Sequence, residues 1–318
     1  SVSIVTQHWI MESQISRRTF LQAASCATAA SFCDYPNLEA QNGELLRDIS
    51  IIDLHQHTNY SGRSDLQLRT HQKAMGIHRS VLLPAGKYYG LAATCGGNET
   101  VYRMAQLYPD DFVFFANEVP DLPMARETIE KYLKLGAVGI GEQKFELECD
   151  SRPLEMVAEL AADYQVPVLI HFQHNAYNTS LDRFHKVLEK FPNTNFIGHA
   201  QTWWGNIYRK HDQKVMYPTG RVTPGGITDR LLSDYPNMFG DLSAGSGLNS
   251  LKRDEDHTRG FLARHQDKLL YGSDCNDGLG RGPGCQGSRT IKTVAELSLN
   301  QQIRSKIFYQ NASRLLKI

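Results

Sequence analysis

What the chain lacks narrows it first. Nowhere in its 318 residues is there the unbroken apolar run, about 18 residues or more, that a membrane-spanning helix needs. A span across the body of the protein is therefore not expected. Charge of neither sign is in excess: 34 Lys and Arg balance 34 Asp and Glu. No basic field is available for nucleic acid, and no acidic or basic block forms an interaction tail. Cysteines are few and scattered (Cys26, Cys33, Cys95, Cys149, Cys275, Cys285) without a Cys-x-x-Cys pair, which argues against a zinc ribbon or a small disulfide scaffold. Cys275 and Cys285 flank a Gly-rich loop, and pairing between them or two free thiols are both open. No Gly-x-Gly-x-x-Gly follows the first strand-like stretch, which weakens a doubly wound dinucleotide-binding sheet.

What is present is a chain 41% hydrophobic and 21% charged, ample for one large α/β domain. Its first part stands apart. Arg17-Arg18 precedes a small-residue, mildly apolar run from Ala23 to Phe32, a pattern that resembles a twin-arginine export signal. Residues 1–45 are read as this leader, with export to the periplasm or beyond as the expected location and a cytoplasmic one if the leader does not function. The remainder, 46–318, is read as one domain.

Within it, apolar strand-like runs alternate with helix-period segments eight times. The runs are Ile49–His57, His78–Ala85, Phe112–Val119, Ala137–Leu147, Val166–Phe172, Asn195–Ala200, Met238–Ser243 and Lys268–Asp274. Short strands alternating with helices imply a parallel sheet with crossover connections. Eight such units in roughly 250 residues match a closed (β/α)8 barrel. A long loop is expected over Gln201–Gly225, and a final helix over Gln302–Ile318 packing on the outside.

The chemistry gathers at predicted strand ends. His55 and His57 are two apart on an apolar strand, so their side chains share a face. His171 ends the fifth strand, His199 the sixth and Asp274 the eighth. In a parallel barrel the C-terminal strand ends open on one mouth. Imidazoles and a carboxylate gathered there suit Zn²⁺ or a similar divalent ion. Each residue alone has a plainer reading, as a bonded core histidine or a turn cap; the set is what points to a metal.

The joint pattern His55-x-His57, His171, Ile-Gly-His199 and Leu-Tyr-Gly-Ser-Asp274, with Asn311-Ala312-Ser313-Arg314-Leu315-Leu316 at the end, resembles the amidohydrolase superfamily. More narrowly it is similar to the amidohydrolase-related branch, which holds hydrolases and metal-dependent non-oxidative decarboxylases on TIM barrels. The resemblance implies that His55, His57 and His171 bind metal. It makes Asp274 both a ligand and the base that takes a proton from bound water. His199 then binds a second ion or polarises the substrate. The fourth strand departs from the many members that carry a carboxylated lysine. Here Glu142 and Lys144 have the same parity, so alternation does not choose between them. Glu142 on the metal with Lys144 toward substrate is the reading preferred; a modified Lys144 bridge, or a Glu142–Lys144 pair, are the alternatives. One ion or two is left open.

The expected activity is hydrolysis of a small amide, lactone or ester by metal-activated water. Decarboxylation or hydration on the same site is the second reading, and a non-catalytic metal- or ligand-binding barrel the third. Trp203 and Trp204 follow His199 and are candidates for a wall of the substrate site. Arg221, in the long loop, is a candidate for holding a carboxylate, against a solvated surface arginine. Lys87-Tyr88-Tyr89 and Asp241 belong at the mouth by position. A small-molecule substrate is the only partner expected, with assembly into a homo-oligomer left open.

Overall fold

The computed structural model describes residues 43–86 and 95–318. The Arg17-Arg18 leader, Cys26, Cys33 and Lys87-Tyr88-Tyr89 lie outside them. The described strands are β1 (Ile52–Gln56), β2 (Arg79–Leu82), β3 (Phe112–Phe114), β4 (Ile140–Gln143), β5 (Val168–His171), β6 (Phe196–His199), β7 (Met238–Asp241) and β8 (Leu269–Leu270). Neighbours in sequence pair in parallel, β1 to β3 and β4 to β8. Two seams close the ring. Val138 N donates to Phe114 O and Ala116 N to Gly139 O, both at 2.9 Å, joining β3 to β4. Leu54 N donates to Tyr271 O (3.1 Å) and Asp274 N to His55 O (2.8 Å), joining β8 to β1. The expected (β/α)8 barrel is what forms.

The helices are α1 (Asp65–Ala74), α2 (Asn98–Leu107), α3 (Ala125–Lys134), α4 (Arg152–Tyr164), α5 (Phe184–Lys190), α6 (Gln201–Gly205), α7 (Ile227–Asp234), α8 (Ala244–Lys252), α9 (Glu255–Arg264), α10 (Gln286–Leu297), α11 (Gln301–Ser305) and α12 (Asn311–Leu316). Ser64 opens α1 with a full capping box to Gln67, which satisfies two otherwise orphaned N–H groups. Apolar faces of the helices, through residues such as Leu68, Val101, Ile129 and Leu160, cover the outer surface of the strands. Side chains of the other parity fill the barrel: Ile52, Leu54, Val81, Leu83, Phe115, Leu169, Ile197, Phe239 and Leu270.

Three expectations need correcting. The stretch expected as loop from Gln201 opens with the short helix α6, because the apolar Trp203-Trp204 pair is drawn into the helix–strand layer. The run Met238–Ser243 is strand only as far as Asp241, and α8 starts at Ala244, its Gly and Ser content hiding the apolar period of Leu248 and Leu251. The C-terminal segment is broken into α11, a π-helical turn over Lys306–Gln310, and α12. Its first half packs in the helix–strand layer through Ile303, Ile307 and Phe308, but its last turn does not lie on the outer wall. Ala312, Leu315 and Leu316 pack against the interior layer, and Lys317 Nζ reaches Gln165 Oε1, in the turn that leads into β5, at 3.1 Å. The segment thus plugs the end of the barrel opposite the histidines.

Two strands are out of simple alternation, and both serve the site. Between Asp53 and Gln56 β1 advances three positions while β2 advances two (Ser80 to Leu82). Between Ile140 and Gln143 β4 does the same against β5. An extra residue of this kind turns later side chains to the other face. Below the first irregularity Ile52 and Leu54 point into the barrel; above it His55 and His57 do.

Candidate metal centre

His55, His57, Glu142, His171, His199 and Asp274 converge at the mouth. Five of them are at most 4% exposed, and Asp274 is the one that faces outward, half-buried. His55 Nε2 and His57 Nε2 stand 3.1 Å apart. Glu142 Oε2 lies 3.5 Å from the first and 3.7 Å from the second. Its other oxygen, Oε1, lies 2.7 Å from His171 Nδ1 and 3.7 Å from His199 Nε2. Asp274 Oδ1 is 3.5 Å from His57 Nε2, and its Oδ2 is 3.7 Å from His199 Nε2.

The far sides of three rings fix where their protons sit. His57 Nδ1 is 2.8 Å from Leu83 O, an acceptor, so Nδ1 carries the hydrogen. His55 Nδ1 is 2.7 Å from Asp241 Oδ2, with the same consequence. Ser243 Oγ donates to Asp241 Oδ2 (2.7 Å) and so accepts from His199 Nδ1 (3.0 Å). In the neutral tautomer each Nε2 then presents a bare lone pair to the same small volume. Lone pairs 3.1 Å apart, backed by two carboxylates, repel unless a cation stands among them. This donor set fits a divalent ion.

The electrostatics agree. Burial works against a charged His55, but Asp274 and Asp241 outweigh it and raise its proton affinity well above normal. The field that favours a proton there favours any cation. Burial likewise opposes charge on Glu142, yet the hydrogen bond from His171 and the attraction of nearby His55 hold its carboxyl well below the usual range. Asp274 is held low against burial by His55 and His57. His199 goes the other way: burial, then repulsion from His55, pulls it down to about 4, so it is neutral at pH 7.

The backbone is shaped for this arrangement. Gly141, at φ +141°, would place a Cβ 2.7 Å from Leu169 O, so no side chain fits before Glu142. At Gly272 a Cβ would sit 2.4 Å from Asp241 Oδ1, which explains the glycine ahead of Ser273-Asp274. Asp53 ties the β1 irregularity to β8: Oδ1 accepts from His55 N (3.1 Å) and Ser273 N (2.8 Å). Burial pushes its carboxyl up to about 6, the Ser273 bonds offsetting part of the shift. Ala200, Ala244 and Asp274 all adopt positive φ (83°, 63° and 44°), conformations costly for residues other than glycine. All three stand at the mouth.

The remaining candidates divide. Glu142, not Lys144, stands among the ligand atoms; Lys144 Nζ lies 5.4 Å from the centre of the Tyr177 ring, at the edge of the site. Trp203 and Trp204 form no substrate wall. Both are buried in the helix–strand layer, Trp203 stacked on Phe172 and Trp204 donating to Asp241 O at 2.8 Å. Their size and apolarity decide this, since an outward-facing side chain of β6 is followed at once by helix. Arg221 is exposed beside Asp254, a solvated arginine. Three participants were not among the residues expected to line the metal, Tyr60 and Gln173 without any signal in the sequence and Ser243 marked only by its place after Asp241 at the mouth. Tyr60, brought in by a 3₁₀ turn, donates to Asp274 Oδ1 at 2.8 Å; Ser243 and Gln173 contact His199 and His171 at 3.0 Å each. Past Gln173 a cleft of about 410 Å³ opens between His174, Ser180, Asp182 and Gln213.

The profile of a family described as amidohydrolase matches residues 84–318; His55 and His57 precede the matched part. No curated protein matches the chain. Among solved structures it is similar to an uncharacterised TIM-barrel protein of Bordetella bronchiseptica (17% identity, 85% of this chain and 99% of that one, TM-score 0.59). It is also similar to a 5-carboxyvanillate decarboxylase of Novosphingobium aromaticivorans complexed with manganese (16%, 80% and 81%, 0.50). A third is a probable 2-pyrone-4,6-dicarboxylic acid hydrolase of Acinetobacter baumannii (13%, 85% and 100%, 0.55).

Proposed function

This chain belongs to the amidohydrolase family, and from that premise we propose that it is a divalent-metal-dependent hydrolase of a small amide, lactone or ester. The observation that carries the reading is the division of ligands across Glu142. One carboxylate oxygen faces His55 and His57, the other His171 and His199. A carboxylate so placed is suited to bridge two ions, with Asp274 beside both groups. His55, His57, Glu142 and Asp274 would hold one ion, and His171, His199 and Glu142 the other. When bound, such ions supply a water of lowered pKa and positive charge against the carbonyl oxygen.

The chain's own residues do the rest. Asp274, the most exposed carboxylate of the set, takes the proton of the attacking water and returns it to the leaving group. The Tyr60 hydroxyl donates to Oδ1 of that carboxylate, which also faces His57, while Oδ2 faces His199. His199 enters neutral at pH 7, offering Nε2 and not a charge. The cleft past Gln173 has the volume for a small substrate and polar groups to orient it.

A second reading, non-oxidative decarboxylation with one ion, is supported by the similarity to the manganese-bound 5-carboxyvanillate decarboxylase. The two separate on product and stoichiometry. Protein loaded with Zn²⁺ or Mn²⁺ is offered lactones, amides and esters with acid release followed in a pH-stat, and aromatic carboxylates with CO₂ followed. Two ions per chain with acid release is the expected result; one ion with CO₂ release overturns hydrolysis in favour of the decarboxylase.

A further inference from the structure

A second cluster of ligand-type side chains lies behind Asp274 and takes no part in the chemistry above. Cys275 follows Asp274 directly. Cys285 caps the N-terminus of α10, where its Sγ accepts from Ser288 N at 3.4 Å. His71 and Met75 are four residues apart on α1 and its C-cap, and so share a helix face. Cys275, Cys285 and His71 are at most 3% exposed, and Met75 is 8% exposed.

The spacing of these atoms discriminates between uses. The two Sγ atoms are 3.9 Å apart, nearly twice the S–S bond of about 2.05 Å. Cys285 Sγ is 3.6 Å from His71 Nε2 and 3.6 Å from Met75 Sδ. Around a tetrahedral ion with M–S of about 2.3 Å and M–N of about 2.0 Å, ligand edges come to about 3.8 Å for S···S and about 3.5 Å for S···N. The separations are those of a coordination polyhedron and not of a disulfide. One atom each from His71, Cys275 and Cys285 lies within 4.8 Å of the others.

The surroundings allow His71 to ligate. Gln72 bridges His71 Nδ1 (3.2 Å) and Ser80 Oγ (2.7 Å). As placed, Gln72 Nε2 faces His71 Nδ1 and Gln72 Oε1 accepts from Ser80 Oγ; ligation through His71 Nε2 takes this amide turned over, its oxygen accepting the Nδ1 proton and its nitrogen donating to Ser80 Oγ.

We propose that Cys275, Cys285 and His71, with the Met75 thioether beside them, form a second metal site for a thiophilic d¹⁰ cation, Zn²⁺ or Cu⁺. Sulfur-rich donor sets select such ions, and binding releases the two thiol protons. The ion fastens the loop that carries Asp274 to α1 on one side and to α10 on the other. Gln56 Nε2 and Arg63 Nη1 already hold the Cys275 carbonyl at 2.9 and 2.8 Å. This site stands independently of the hydrolase reading, since it uses none of the same side chains.

The full chain, reduced with a phosphine and freed of metal without air, is titrated with Co²⁺ as the reporter for Zn²⁺. A near-ultraviolet thiolate-to-cobalt charge-transfer band is expected whose final amplitude corresponds to one thiolate-bound cobalt per chain, whatever further cobalt the mouth takes up. Imidazole and carboxylate ligands give no such band, so His57→Asn and Cys149→Ser keep it, whereas Cys285→Ser and Cys275→Ser lose it. Should the serine variants fail to fold by circular dichroism, His71→Gln carries the test, with affinity at this band falling at least about 100-fold. Competition between Zn²⁺ and Cu⁺ identifies the ion, and either one bound through both thiols supports the proposal. No band, a band that survives both serine variants, or a Cys275–Cys285 disulfide that takes up no metal after reduction overturns it.

Discussion

The two ends of the barrel are built from the same strands and obey opposite rules. At the closed end Ala312, Leu315 and Leu316 seal an interior of aliphatic and aromatic side chains by apolar contact, with hydrogen bonds such as Lys317 to Gln165 confined to its rim. At the open end five buried polar residues and Asp274 face one another, held in place by bonds with Leu83, Asp241, Ser243 and Tyr60. The strained backbone residues Ala200, Ala244 and Asp274 gather at that end. One end secures the fold; the other spends part of that stability on chemistry.

Substitutions at each end should separate activity from stability. The largest effect is expected at the mouth: Asp274→Asn lowers kcat about 1,000-fold while far-UV circular dichroism is unchanged. Activity within tenfold of wild type would remove Asp274 from its assigned role. At the closed end Leu316→Ala should do the reverse, costing about 3 kcal/mol in urea unfolding with the metal-loaded kcat retained; a loss of turnover in folded protein would mean that the ends are coupled. Between these lies Asp241→Asn, which leaves every proposed ligand in place. It should weaken metal affinity about 10–100-fold by releasing the His55 tautomer, as read by competition with a chelator.

The smallest effect tests a buried polar group that serves shape alone. Asp229, on α7, accepts from His265 Nε2 (2.6 Å), Arg264 Nη2 (3.0 Å) and Gly225 N (2.8 Å). These bonds hold its carboxyl low against burial. A depressed carboxyl contributes stability above its unfolded value, roughly 3.9, and loses it as pH falls toward the folded one. Asp229→Asn should therefore cost about 1 kcal/mol at pH 7, with the difference from wild type shrinking on acidification below about pH 4. A gap independent of pH would assign the loss to packing.

The same contrast explains what was legible in the sequence. The barrel could be read because eight apolar runs each bury a face, and burial imposes a period. His55, His57, His171, His199 and Asp274 could be read because strand ends are where such runs stop. Glu142 could not be separated from Lys144, since strict alternation treats them alike and the extra residue in β4 leaves no compositional mark. Trp203 and Trp204 misled because proximity to His199 in sequence is not proximity in space: a β6 side chain and the helix after it face different layers. Tyr60 and Ser243 act through turns whose backbone conformation a residue pattern does not encode.

The irregularity in β1 makes that strand two half-strands out of phase. The lower half is timed by its pairing with β2 and keeps Ile52 and Leu54 in the oily interior. The upper half is timed by Asp53 and Ser273 and turns His55 and His57 to the mouth. Core and chemistry on one strand thus keep separate clocks. Removing a single residue at the junction would leave the lower half in step while rotating both imidazoles toward the helices. The reactive end of such a strand can be reset without retuning the part that folds.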